Sequence, residues 1–428
     1  MRPSLVVTGD PAAVASTAGS RRWVIIGLLF AAVLINYIDR GNLSIVAVPL
    51  MHDFGISASR MGTLLSAFFW TYTLLQIPVG YLVDRFGLKW TYAAAFVLWS
   101  ISSAAVGLAG SFAQVLIFRL LLGVGEAAVQ PASLAFIRRN FPPAAQGLPT
   151  AVYLSGMSFG PAIGAIVGST LLAAAGWRLV FIITGLGACV WLLPWLAMAP
   201  RDQVRHEKAV VRYSGDMWTE ILRGRTLWGI VIGAFFYSYF WYYCLTWLPS
   251  YLVMGRGFSF LKMGVFTAAP FLTTALMSMV AGRAADRLIA KSGRPITVRK
   301  GFVVSGFCLG SSILLLLFLK SAGAVLATLM LSLMGIGLAS ANYWALTQAA
   351  SPAALVGRVI GFQNTIANLA GICSPVVTGI LIDKTKSFEI SITCAGLSLL
   401  VAAAAFFFLV RQQDVDRLNA LYAVQLCQ

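Results

Sequence analysis

Four ionisable side chains interrupt otherwise apolar stretches of the sequence: Asp39, Arg40, Arg119 and Glu126. A charged side chain at the centre of a bilayer costs about 2.5–3.5 kcal/mol on insertion scales. Their formal charges sum to zero, so mutual pairing recovers much of this cost. Two interpretations are open: ion pairs that join two helices, or a polar site for a small ion. We favour the polar site, because buried ion pairs seldom stabilise a fold better than apolar residues do.

The polar residues of these stretches fall on single helical faces. At 100° per residue, Arg119, Glu126 and Gln130 lie within about 40° of one another on the helix. Glu126 is two turns away from Arg119, and we expect these two side chains to form an ion pair. Asp39 points about 100° away from Arg40. Other short polar faces are formed by Tyr37, Arg40 and Ser44, by Tyr72 and Gln76, and by Asn364 and Asn368. Such faces normally turn toward a water-filled cavity or the interior of a helix bundle.

Aromatic residues concentrate in two later stretches. The first contains Tyr237, Tyr239, Trp241, Tyr242, Tyr243 and Trp247. The second combines polar and aromatic side chains, namely Asn342, Tyr343, Trp344, Thr347 and Gln348. Two interpretations remain open, an interfacial aromatic belt or the wall of a binding pocket. We expect one or two of these side chains to reach a ligand and select Trp344 as the candidate.

The apolar stretches that contain these residues are predicted to be membrane-spanning helices. Of the 428 residues, 59% are hydrophobic and only 11% are charged, whereas a soluble domain carries about 25% charged residues. The apolar residues come in blocks of about 20, long enough to cross about 30 Å of hydrocarbon as a helix. They do not alternate with polar residues as the strands of a membrane barrel do. The sequence therefore predicts an all-α membrane protein in a lipid bilayer.

Twelve spans are predicted, and they divide into two halves. The first six lie near 23–51, 60–82, 91–110, 112–137, 149–175 and 179–199. The second six lie near 227–253, 262–282, 301–319, 324–350, 357–382 and 390–410. The predicted organisation is a disordered cytoplasmic N-terminus at 1–22, an N-terminal six-helix half at 23–199, a cytoplasmic linker at 200–226, a C-terminal six-helix half at 227–410 and a cytoplasmic tail at 411–428.

Basic residues are distributed unequally between the two sides of the predicted bundle. Twenty-two Lys and Arg residues lie on the side of the termini and seven on the opposite side, while Arg40 and Arg119 lie within spans. Cytoplasmic loops of membrane proteins carry an excess of such residues. Both termini are therefore predicted to be cytoplasmic, with the chain multi-pass in a plasma membrane, expected to be a bacterial inner membrane. The same rule accounts for the net charge of +17 without a nucleic-acid partner.

The two halves share sequence motifs. The segment after the second span contains Gly80, Asp84, Arg85, Gly87 and Lys89. A related segment after the eighth span contains Gly282, Arg283, Asp286 and Arg287. Repeated halves with a binding site at their interface are typical of secondary transporters.

These motifs carry a resemblance to a known family. The segment Gly80–Lys89 resembles the loop motif between spans two and three of the major facilitator superfamily, and Gly156-x-x-x-Gly160-Pro161-x-x-Gly164 resembles its fifth-helix motif. Span one reads Asn36-Tyr37-x-Asp39-Arg40-x-Asn42, and span four reads Arg119-x-x-x-Gly123-x-x-Glu126. This pair resembles the anion:cation symporter branch, which includes sugar-acid, hexuronate and phthalate permeases.

The resemblance implies twelve transmembrane helices in two pseudo-symmetric six-helix halves that carry a small organic anion together with protons by alternating access. It assigns Arg40 and Arg119 to the anion, and Asp39 and Glu126 to proton coupling. The predicted substrate site is completed by Tyr37, Tyr72, Gln76, Asn364 and Trp344. The predicted gate, in a cytoplasmic loop, consists of Gly80, Asp84, Arg85 and Gly87. No enzymatic reaction, cofactor or metal is expected, and a monomer is predicted.

The substrate and the class of function have alternatives. Sugar-acid members of the branch often place glutamine after the Ser-Gly of span five, whereas this sequence reads Ser155-Gly156-Met157, which leaves an aromatic carboxylate open. A proton-coupled drug exporter of the same fold predicts a cavity without two buried arginines, and a receptor or scaffold predicts no buried charges. Gly123-x-Gly125 fits a dinucleotide fingerprint, but it lies within an apolar helix, where we expect it to permit close helix packing.

Overall fold

A computed structural model describes residues 11–142, 145–199, 220–351 and 355–417. For residues 11–20, 77, 80, 81, 83 and 84 it describes the helical backbone alone. Every regular element within these ranges is helical. This agrees with the apolar blocks of the sequence, since a helix satisfies its own backbone hydrogen bonds inside a bilayer.

The described part of the first half contains eight α-helices. Their bounds are α1 Pro11–Ile45, α2 Ala47–Phe54, α3 Ala58–Phe86, α4 Leu88–Val106, α5 Phe112–Glu126, α6 Val129–Asn140, α7 Gly147–Ala188 and, after a short 3₁₀ turn at Cys189–Trp191, α8 Leu192–Met198. The two pairs α1–α2 and α5–α6 are each one span with a local interruption. The interruption at 127–128 separates Glu126 from Gln130, so these two residues do not share the continuous helix that the predicted polar stripe assumed.

Six α-helices lie in the second half, within residues 225–351 and 355–409 of the described chain. Their bounds are α9 Arg225–Ser250, α10 Phe260–Ser292, α11 Pro295–Gly310, α12 Ala322–Ala349, α13 Val356–Thr385 and α14 Glu389–Leu409. A π-helical turn, Tyr251–Gly255, extends α9, and a 3₁₀ segment, Ser311–Leu317, extends α11.

The number of membrane crossings agrees with the predicted twelve. Eight helical stretches in the described part of the chain are long and apolar enough to span a bilayer. One of them, Gly147–Met198, has 52 residues and breaks at Gly176, where φ is 80° and ψ is 170°, so it crosses twice. Helices α3, α4 and α9 are not among these eight stretches, but with 29, 19 and 26 residues each is long enough to cross once. Together with the second crossing of Gly147–Met198 they bring the number of crossings to twelve. The fold is therefore an all-α membrane fold built from two six-span halves.

Helix α1 begins earlier than the sequence predicted. Disorder was expected for 1–22, but α1 starts at Pro11, and residues 1–10 lie outside the described residues. Segment 11–20 is rich in alanine, the residue with the highest intrinsic helix propensity, and proline is favoured in the first turn of a helix. Of the predicted linker 200–226 the structure describes 220–226, and of the tail 411–428 it describes 411–417.

Two further helices extend beyond their predicted ends. Helix α10 continues past 282 to Ser292, because the polar segment that follows the apolar span contains strong helix formers and no breaker before Gly293. Helix α3 continues to Phe86, so Asp84 and Arg85 lie in its last turn rather than in a loop. The length of an apolar segment predicts how much of a helix lies in the bilayer. The helix itself continues until a residue such as glycine or proline ends it.

The two halves pack together through three helix pairs: α1 against α9, α3 against α13, and α7 against α10. We call the end of the bundle that carries connections 55–57, 107–111, 256–259, 318–321 and 386–388 the distal end, and the opposite one the proximal end. At the distal end a Cβ on Gly62 would overlap the Pro375 carbonyl, and one on Gly379 would overlap the carbonyl of Ala58. The halves are therefore in tight contact at their distal ends.

Close packing of α4 and α5 depends on Gly125, as the sequence predicted for the glycines of this segment. A Cβ at this position would lie 2.9 Å from the carbonyl oxygen of Ala95 and from the amide nitrogen of Trp99. We expect Gly125→Ala to destabilise the protein by about 1–3 kcal/mol and to lower its melting temperature in detergent by several degrees.

A matched control for this substitution is Gly27→Ala. A Cβ on Gly27, in the apolar part of α1, meets nothing within 4 Å, so this change should be neutral or slightly stabilising. Equal melting temperatures for the two variants would contradict the packing argument.

Candidate functional site

The centre of the site is an ion pair between α1 and α5. Nε of Arg40 donates to Oε2 of Glu126 over 2.7 Å, and the two side chains are 6% and 0% exposed. Sequence analysis expected Glu126 to pair with Arg119, and this expectation was wrong about the partner. Residues seven positions apart on a helix are separated by about 10.5 Å along its axis. Arg40 approaches Glu126 directly, from the neighbouring span.

Aromatic rings surround the Arg40 guanidinium. Its central carbon lies 4.8 Å from the ring centroid of Tyr37, 4.5 Å from that of Phe68 and 4.6 Å from that of Tyr72. Ring faces attract a guanidinium and fix its plane. The cation is thus held in place by α1 and α3 while its Nε pairs with Glu126.

Arg119 is the second buried cation, and it forms no salt bridge within the described residues. It is 2% exposed, and its central carbon lies 5.6 Å from the ring centroid of Phe68, the ring that also contacts Arg40. Among the described residues, none hydrogen bonds to Nε or Nη1 of Arg119, and none to Oε1 of Glu126. Burying a charge without a partner costs several kcal/mol. A guanidinium binds a carboxylate with two parallel hydrogen bonds through Nη2 together with either Nε or Nη1, so each of these two edges of Arg119 includes one of the unpaired donors.

Asp39 occupies a separate polar environment, as its helical phase predicted. Its Oδ1 accepts a hydrogen bond of 2.8 Å from Oγ of Ser103 and one of 3.4 Å from Nδ2 of Asn42. The same Asn42 nitrogen donates to Oγ1 of Thr184 over 2.9 Å. Oδ2 of Asp39 has no partner among the described residues. Spans one, three and six therefore supply the hydrogen-bond environment of this carboxylate, which differs from that of Glu126.

The second half supplies the opposite wall of the site. Nδ2 of Asn364 donates to Oε1 of Gln76 over 3.0 Å, which joins α13 to α3. The Tyr242 hydroxyl donates to Oδ1 of Asn368 over 3.2 Å, and the Tyr242 ring contacts Phe69 with centroids 4.5 Å apart. Predicted residues from both halves thus meet across the interface. Trp344 belongs to another cluster, where its ring packs on Tyr343 at 5.0 Å.

The predicted gate residues lie at the proximal end of α3. Gly87 forms the one-residue connection between α3 and α4 with φ 81°, a conformation that glycine adopts without strain. Arg85 is exposed, and for Gly80 and Asp84 the structure describes the helical backbone alone. In the second copy of the motif, Asp286 accepts a hydrogen bond of 3.0 Å from Nη2 of Arg299.

Sequence analysis missed Phe68, Ser103 and Thr184 as parts of the site. Ser103 had a detectable signal, since Ser100, Ser102 and Ser103 cluster within an otherwise apolar span. Phe68 had none, because a phenylalanine in a membrane helix is ordinary until its ring is seen beside a buried arginine.

Comparisons with known proteins agree with this architecture. Residues 29–375 match the family model of the Major Facilitator Superfamily. The chain is 32% identical over 398 residues to a hexuronate transporter of Bacillus subtilis (strain 168), an alignment that covers 90% of this chain and 94% of that protein. It is 28% identical over 428 residues to a D-galactonate transporter of Escherichia coli O6:H1, covering 95% and 99%.

A solved structure has the same fold. The structure of a bacterial homologue of the human lysosomal transporter Spinster, in an inward-facing and unoccupied conformation, superposes with a TM-score of 0.75 at 19% identity. The superposition covers 92% of this chain and 98% of that one. The family match and the relatives named as transporters indicate a multi-pass membrane transporter and not an enzyme. The chain belongs to the Major Facilitator Superfamily.

Proposed function

We propose that the chain is a proton-coupled symporter that imports a small organic anion, a sugar acid or a related carboxylate, by alternating access of its two halves. The relatives named above transport hexuronate and D-galactonate, which are sugar acids. Their alignments with this chain span both halves, so the whole of each relative, and not a shared fragment, supports the proposal.

The proposal rests on two buried arginines, of which Arg40 alone forms a salt bridge within the described residues. Arg40 is paired with Glu126, whereas Nε and Nη1 of Arg119 have no partner among the described residues. A guanidinium keeps its charge when buried and matches the two oxygens of a carboxylate. Arg119 is therefore the proposed anchor of the substrate carboxylate.

The Glu126 carboxylate is the proposed proton carrier. An arriving substrate anion adds a negative charge beside Arg119 and competes for the attraction of Arg40. Glu126 then loses part of its compensation in a low-dielectric site. Arg40, Arg119, Glu126 and Asp39 together are neutral, the substrate anion brings their sum to −1, and a proton on Glu126 restores a neutral set of charges. The protein can change the side to which the site opens at lower free-energy cost when the loaded site is neutral than when it is charged. Release of the substrate frees Arg40 to pair with Glu126 again and expels the proton.

Asp39 is the alternative proton carrier. Its carboxylate is buried and keeps one oxygen without a partner, but its hydrogen bonds to Ser103 and Asn42 hold it on another face of α1. A proton there changes the charge of the site without contacting the substrate. The two carboxylates are distinguished by the substitutions considered in the Discussion.

The proposed orientation places both termini and the proximal end in the cytoplasm of a bacterial cell. We expect a cysteine introduced by Ala209→Cys, in a variant without native cysteines, to react with a membrane-impermeant maleimide only after the cells are permeabilised. A cysteine introduced by Lys320→Cys, in the distal connection 318–321, should react in intact cells. Labelling of the Ala209→Cys variant in intact cells would overturn this orientation.

The identity of the carboxylate is tested by a substrate panel in proteoliposomes. We expect counterflow of labelled uronates and aldonates at micromolar to millimolar concentration, with little exchange of the corresponding uncharged sugars. Met157 and the aromatic rings around Arg40 favour a second candidate class, aromatic carboxylates. Exchange of benzoate-type anions without exchange of sugar acids would select that class. Failure of every carboxylate to exchange would reject the proposed function.

A further inference from the structure

The distal end of the bundle carries a cavity of about 760 Å³ that lies outside the charged site. Its walls come from the distal ends of α2, α3, α13 and α14 and from the segments 251–256 and 316–320, and Asp383 is one of the lining residues. Asp383 lies in the last turn of α13 and is partly buried. None of the functions considered so far uses this carboxylate.

Asp383 caps the first turn of a helix in the other half. Its Oδ1 accepts a hydrogen bond of 3.0 Å from the amide of Ala58, and its Oδ2 accepts one of 2.7 Å from the amide of Ser59. These two amides begin α3 and have no partner within their own helix. Among the described residues Asp383 has no salt-bridge partner, so these donors and the positive end of α3 compensate its charge.

This contact crosses the interface between the halves. Helices α3 and α13 pack along one another, and backbone atoms meet where Gly379 approaches Ala58 and where Gly62 approaches Pro375. A third polar contact at the same end joins α1 to α9, because Oγ of Ser44 donates to the Thr246 carbonyl over 2.6 Å. Asp383 is the only one of these groups that carries a formal charge.

We propose that Asp383 is the latch of the distal gate. Its two hydrogen bonds exist only while the distal ends of α3 and α13 touch, and they must break when that end opens. The carboxylate therefore stabilises the conformation in which the site is closed to the distal side. Since α3 and α13 run antiparallel, the latch lies at the opposite end of the helix pair from Asp84. It acts through the position of two helices and does not touch the substrate.

The latch predicts a shift in conformation when the carboxylate is removed. Ala113 and Lys320 are both exposed at the distal end and lie on different halves. Spin labels attached at these two positions report their separation by pulsed electron–electron double resonance. We expect Asp383→Ala to raise the ratio of open to closed distal ends about tenfold, the change that loss of about 1.4 kcal/mol produces. Asp383→Asn should give a smaller shift, because an amide oxygen still caps one donor.

The matched control is Lys384→Ala. Lys384 is the exposed neighbour of Asp383, and its removal should leave the distance distribution unchanged. Distributions that stay the same in both Asp383 variants would overturn the latch, as would an equal shift in the Lys384 variant. If Asp383→Ala does not fold, the Asp383→Asn distribution alone decides.

The latch rests on alternating access, but its test is separate from that of the transported substrate. The distances are measured without substrate or pH gradient. If no carboxylate is transported but the distal end still opens in the Asp383 variants, the proposed function is contradicted while the latch proposal is supported.

Discussion

Arg119→Lys is expected to weaken binding of the substrate carboxylate about 100-fold, which corresponds to roughly 2.7 kcal/mol, while the protein still folds. Lysine keeps the positive charge but has no planar fork with two parallel donors. The unpaired Nε and Nη1 of Arg119 are the atoms that the substitution removes or displaces. Binding of the preferred sugar acid to purified protein, measured by calorimetry, gives the dissociation constant directly.

A second arginine provides the control for this substitution. Nη1 of Arg178 donates to the carbonyls of Gly107 and Ala109 at the distal end, far from the charged site in the fold. Arg178→Lys should lower the melting temperature and leave the dissociation constant near that of the native protein. A dissociation constant for Arg119→Lys that equals the native value would assign Arg119 a structural role.

Glu126→Gln is expected to separate substrate movement from proton coupling. Glutamine has the shape and charge of the protonated acid, and its amide oxygen can still accept the Arg40 hydrogen bond of 2.7 Å that the carboxylate accepts. The variant should therefore exchange labelled substrate across the membrane in counterflow. It should fail to accumulate substrate against a gradient, and its exchange rate should no longer vary with pH through this group.

Asp39→Asn is the comparison that assigns the coupling residue. If Glu126 carries the proton, Asp39→Asn retains some uphill accumulation, although loss of charge beside Ser103 and Asn42 alters the site. If Asp39 carries it, the two phenotypes are reversed. Native accumulation and native pH dependence in Glu126→Gln would rule out Glu126 as the coupling site.

The sequence predicted which residues belong to the site better than it predicted which of them pair with one another. The faces that bear Arg40 and Glu126 followed from helical periodicity, and Asp39 has hydrogen-bond partners different from those of Arg40. The partner of Glu126 could not be derived, because it depends on how α1 crosses α5. The interruption at 127–128 likewise leaves little trace in an alanine-rich segment. Periodicity describes one helix at a time, whereas a site is made where several helices cross.

The ends of helices and the contacts between halves were also beyond the sequence. Asp383 had no predicted role, and only the packing of α13 against α3 gives it two backbone donors. Close approach at Gly62 and Gly379 has the same origin. Such contacts join residues more than 300 positions apart, and no local pattern encodes them. The shared motifs of the halves predicted the pseudo-symmetry but not which ends meet.

The central claim is that a proton gradient drives carboxylate accumulation through this chain. The direct measurement is uptake of a labelled uronate or aldonate by proteoliposomes whose lumen is alkaline relative to the medium. We predict transient accumulation above the external concentration, abolished by a protonophore and absent in Glu126→Gln. Uptake that only equilibrates, whatever the pH gradient, would contradict proton coupling, and accumulation with the gradient reversed would identify an exchanger.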